Sequence, residues 1–153
     1  MPNYKNEQFN FLRITKFFAI AGFFIPGFTV VALLGIQKLF ELSGMDCENA
    51  LKSVWWLCTV GSIGLPIIFL LYLNRKTIIR KQDLDLKVGV FNLLEYIFIQ
   101  AALEIFFSNP DTLCNVTDGQ NGIELVFTGW LAIPFLFILG FIFNKQKVIV
   151  EYF

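Results

Sequence analysis

Apolar residues in this chain come in long unbroken runs rather than in alternation or in stripes. Residues 17–37, FFAIAGFFIPGFTVVALLGIQ, carry no charge, and neither do residues 53–74 or 125–144. Each run is close to the roughly 20 residues that cross a hydrocarbon layer about 30 Å thick. Residues 88–107, VGVFNLLEYIFIQAALEIFF, match that length and are apolar except for Asn92, Glu95, Gln100 and Glu104. The pattern predicts an all-α integral membrane protein. It would be a four-helix bundle of two transmembrane hairpins, forming one transmembrane domain over residues 1–153. The first run is longer than the about 7–15 apolar residues of a cleaved signal segment, and no A-x-A site follows, so it reads as an uncleaved first helix.

Charge supplies the orientation. With the N-terminus inside, the inner segments hold Lys5, Arg13, Lys16, Arg75, Lys76, Arg80, Lys81, Lys87, Lys145 and Lys147, and the outer loops hold only Lys38 and Lys52. Lys and Arg concentrate on the cytoplasmic side of short loops, so both termini are expected inside. Acidic residues deepen the asymmetry: Glu41, Asp46, Glu48, Asp111, Asp118 and Glu124 make the outer side −4, and the inner side is +6. The formal net charge of zero therefore conceals two oppositely charged ends and two carboxyls, Glu95 and Glu104, within a span.

Composition narrows the function classes. The chain is 56% hydrophobic and 16% charged with a mean hydropathy of +0.66, against about 25% charged in soluble domains. It has no His, which removes His-based acid–base chemistry and the commonest metal ligand. Its three Cys form no CxxC, and no phosphate-binding glycine loop or nucleophile elbow occurs. The expectation is a protein that is not an enzyme, with no cofactor, no metal site and no affinity for nucleic acid. Its partners would be membrane lipids and either another membrane protein or further copies of itself.

Several residues stand out against this background. Cys47 and Cys114 both fall in outer loops, where an oxidising compartment would allow a bond between the hairpins; free thiols and a redox pair are the other readings. Cys58 reads as a small packing residue. Ionisable groups inside a span are costly and usually face a partner or a cavity. At 100° per residue, Glu95 and Glu104 lie on opposite faces of their helix. Asn92 and Glu95 share one stripe; Tyr96, Gln100 and Glu104 share the other, so this helix should be the most enclosed. Glu95 is either a proton- or cation-coupled carboxylate or a packing group hydrogen-bonded to Asn92, Thr59 or Ser62. Pro26, Pro66 and Pro134 fall inside three spans and mark kinks. Asn115-Val-Thr117 is a glycosylation sequon on the outer side.

Two functions fit. The first is a non-enzymatic protein acting through helix–helix contacts, as an accessory subunit of a larger complex or as an inhibitor of another membrane protein. In size and in/out topology, which no motif accompanies, the chain looks like the four-span immunity proteins of bacterial inner membranes. The second is a small oligomeric channel or ion-coupled transporter using Glu95. A bacterial inner membrane is the expected location, with an organellar inner membrane as the alternative.

Overall fold

Helix α1 (Phe11–Phe24) begins where Asn10 caps it, its side-chain oxygen accepting from the Arg13 N–H at 3.2 Å. It ends two residues before Pro26. A residue preceding proline is pushed out of helical geometry, and Ile25 has φ −130° and ψ 63°. The chain resumes as α2 (Val30–Leu42). The structure, a computed structural model, describes residues 3–5, 10–26, 30–75, 78–107, 114, 123–146 and 149–152, with side chains over 10–26, 33–75, 80–107, 114 and 126–146.

The expected single helix over 17–37 is thus corrected to two pieces, of 14 and 13 residues. Each is about 20 Å long at 1.5 Å per residue. Pro26 supplies no N–H to the ladder, and Gly27 beside it favours a turn. The other two kink candidates behave differently: Pro66 and Pro134 lie inside continuous helices.

Those helices are α3 (Cys47–Arg75), α4 (Lys81–Glu104) and α5 (Ile123–Asn144). All three are long and apolar enough to cross a membrane. Asp46 caps α3, accepting from the Asn49 backbone and side chain at 3.2 and 2.6 Å. Those hydrogen bonds hold its carboxyl below the usual range. Helix α4 is the hub, packed against α1, α2, α3 and α5. Within its apolar stretch 44% of residues are buried, against 17% in α3 and 33% in α5.

Where the pieces of the broken helix pack shows how they divide its length. Phe11 of α1 joins Phe69, Leu73, Leu84, Val88, Phe91 and Phe143 in a core at one end. Leu33 of α2 joins Val54, Cys58 and Ala101 at the other, where Cys58 is indeed a packing residue. Between the two lies a cluster of Tyr96, Ile99, Ala132 and Leu136 from α4 and α5. So α1 and α2 follow α4 in succession along its length.

The first of these ends carries a feature the all-α expectation lacks. Strand β3 (Ile149–Tyr152) pairs antiparallel with β1 (Asn3–Lys5) and parallel with β2 (Ile78–Arg80), giving the order β1-β3-β2. Three- and four-residue strands are too short to show a period, and only β-branched residues such as Ile78, Ile79, Ile149 and Val150 hint at them. The sheet gathers the segments before α1, between α3 and α4, and after α5. Those are the basic segments of the sequence, now at one end of the helices. At the opposite end Cys47 and Cys114 are joined, with sulfurs 2.05 Å and Cα atoms 6.0 Å apart.

Candidate functional site

Helix α4 presents polar side chains in two directions, and the two sets have different fates. Toward α1 and α5, Tyr96 and Gln100 are buried and engaged. Tyr96 donates its hydroxyl to the Gly129 carbonyl of α5 at 2.9 Å. Gln100 donates through Nε2 to the Pro26 carbonyl at 3.3 Å. The indole N–H of Trp130, on α5, reaches the Phe23 carbonyl at 3.1 Å. A broken helix leaves carbonyls without intrahelical donors, which in lipid must be satisfied by neighbours. Gln100 and Trp130 therefore complete the break between α1 and α2. Close approach is possible because Gly22 and Gly129 flank the Tyr96 ring: a Cβ at either would come within 3 Å of its hydroxyl. Asn92 is satisfied locally, donating to the Val88 carbonyl at 2.8 Å.

Glu95 has none of this. It is 0% exposed, and neither carboxyl oxygen has a hydrogen-bond partner among the described residues. Its expected partners are turned elsewhere: Asn92 toward Val88, and Ser62 toward the Thr59 carbonyl at 2.9 Å. Thr59 Oγ1 is also buried without a partner. All of these except Asn92 line one cavity of about 420 Å³.

The cavity is the gap between α3 and α5 over the floor of α4. Trp55, Thr59 and Ser62 come from α3, Glu95, Ile99 and Leu103 from α4, and Phe135, Ile138 and Leu139 from α5. At the sheet end the gap is shut by rings. Phe69 of α3 stacks on Phe91 of α4 at 4.5 Å, and Phe143 of α5 meets both edge-on at 5.3 and 5.1 Å. Toward the disulfide end α3 and α4 are tied by the Trp55 indole N–H, which donates to the Ala102 carbonyl at 3.3 Å. Phe106, Phe135 and Ile138 at the rim are exposed. The site is an apolar wedge with one carboxyl in its floor.

The four polar residues singled out on α4 are therefore not one site. Asn92 and Gln100 are structural, Glu95 faces the cavity, and Glu104, partly exposed, is the last residue of the helix. Cys47 and Cys114 meet each other, far along α3 from the wedge. The sequon at 115–117 lies outside the described residues. No group of three His, Cys, Asp or Glu able to hold a metal occurs among the described residues. Sequence reasoning missed the pairing of Gln100 and Trp130 with the break, although Pro26-Gly27 within a charge-free run is a breaking signal.

One consequence is measurable. A buried polar group without partners costs about 1–3 kcal/mol, and a carboxyl near the middle of a membrane helix adds to that. Glu95→Leu should therefore stabilise the protein by roughly 2 kcal/mol, read as a raised unfolding midpoint in mild detergent. A lowered midpoint would show that the carboxyl has a stabilising partner after all.

No protein-family model matches the sequence, and comparisons with characterised proteins and with solved structures find no match.

Proposed function

We propose that the chain is a non-enzymatic, four-span protein of a bacterial inner membrane, with α1 and α2 forming the first crossing and the sheet on the cytoplasmic side. It acts through contacts made inside the membrane, as an accessory subunit of a larger complex or as an inhibitor of the immunity type. The supporting observation is α3. It is the least enclosed of the three long helices, and Val60, Ile63, Ile67 and Leu71 stand exposed along it. Gly64 lies among them with nothing within 4 Å of a Cβ placed there, and small residues let a second helix approach closely. Extraction from native membranes in mild detergent should yield a stable complex with another membrane protein. Gly64→Ile should remove that partner while the protein still inserts, and Glu95→Gln should keep it. A protein that leaves the membrane alone would refute the proposal.

The unpartnered carboxyl of Glu95 favours a second reading, a small oligomeric transporter or channel. It requires that Glu95→Gln abolish flux in liposomes while insertion is unchanged; flux retained in that variant would refute it.

A further inference from the structure

The wedge between α3 and α5 specifies an occupant through its size, its walls and its floor. A volume of about 420 Å³ falls within the roughly 300–1,000 Å³ of small-ligand sites. Its walls are aliphatic and aromatic, from Ile99, Leu103, Phe135, Ile138 and Leu139. Its floor holds Glu95, fully buried, with both oxygens unpartnered, and its α3 wall holds the unpartnered Thr59 Oγ1.

Each property removes a class of occupant. A straight helix about 10 Å across cannot lie along the gap, because Phe69 and Phe143 meet at the sheet end. A neutral lipid tail would fill the walls but leave the carboxyl without a donor, which buried polar groups rarely tolerate. An anion would be repelled by Glu95. What satisfies walls and floor together is a compact apolar body carrying a cationic donor, because a charge-assisted N–H···O bond is the strongest available to a carboxylate.

We infer that this wedge is a binding site for a lipophilic ammonium compound, entering from the hydrocarbon side past Phe106 and Phe135. Its ammonium group rests on the Glu95 carboxyl, with Thr59 Oγ1 as a further acceptor on the adjoining wall. The site goes beyond both readings above, since a partner-binding protein and a transporter could each carry it.

The test uses the full-length protein in lipid nanodiscs and a decylammonium probe bearing a photoreactive diazirine on its chain. Irradiation followed by peptide mapping should place saturable label on Ile99, Leu103 or Phe135, displaced by unlabelled decylammonium. Glu95→Gln should weaken that labelling about tenfold or more, as expected for loss of a charge-assisted hydrogen bond. Glu95→Asp, which keeps the charge, should retain most of it. The neutral decanol analogue should label the wedge no more than the lipid-facing side of α3. Equal labelling by the alcohol, or unchanged labelling in Glu95→Gln, would overturn the inference and leave the wedge a lipid-filled crevice. Label confined to the outer faces, as when a second copy or a partner helix covers the wedge, would overturn it too. Both variants are compared only as monodisperse protein with the wild-type helical content; if Glu95→Gln fails that standard, Thr59→Val provides the same comparison, weakened labelling in it supporting the site and undiminished labelling overturning it.

Discussion

Replacing both Cys47 and Cys114 with Ser is expected to lower stability by as much as about 4 kcal/mol, the chain-entropy value for a loop of this length. The bond joins residues 67 apart, and between them lie α3, β2 and α4. That figure is a ceiling. In a membrane the spans stay helical and inserted when tertiary contacts are lost, so the open chain already has less freedom than a random coil. The measurement is the unfolding midpoint in detergent with and without reductant. Reductant should bring the wild-type protein to the midpoint of the double variant. A wild-type midpoint indifferent to reductant would show that the bond does not form.

Gly129→Ala should have the next largest effect, a loss of about 3 kcal/mol, at the upper end for overpacking. A Cβ there would stand 2.6 Å from the Pro26 carbonyl oxygen and 2.9 Å from the Tyr96 hydroxyl. The first is backbone and cannot swing aside. Relieving the clash would separate α5 from the break between α1 and α2, and with it go the Tyr96 bond to Gly129 and the Gln100 bond to Pro26. Gly64→Ala is the matched control, because open space surrounds that position. It should be neutral or slightly stabilising, as alanine is the better helix former. If the two variants unfold at the same midpoint, the close contact between α5 and Pro26 does not exist.

These positions also show what could be read from the residues alone. The long apolar runs sufficed for α3, α4 and α5, because a membrane span needs only length and apolarity. The first run met the same criteria and still broke, since Pro26 and Gly27 act locally and hydropathy does not register them. Burial of the polar face of α4 was foreseeable from Asn92, Glu95 and Gln100 together. Which of them would be left without a partner was not, because that depends on where carbonyls on other helices fall. Gln100 lies level with Pro26 and is used there; Glu95, five residues earlier and turned away, faces a largely apolar cavity in which neither of its oxygens is hydrogen-bonded to a described residue. The sheet was invisible for another reason: its strands lie up to about 150 positions apart in the sequence and are only three or four residues long.

The order of that sheet bears on how the molecule is made. Strand β3 lies between β1 and β2, which do not pair with each other. A ribosome delivers β1 first and β2 roughly midway, and neither has an edge to join until α5 has emerged and β3 follows it. The sheet can close only after the last helix is in place, so its formation would mark the end of assembly rather than its nucleus. Until then β1 and β2 have no partner strand, and a chain stalled before α5 would leave both unpaired.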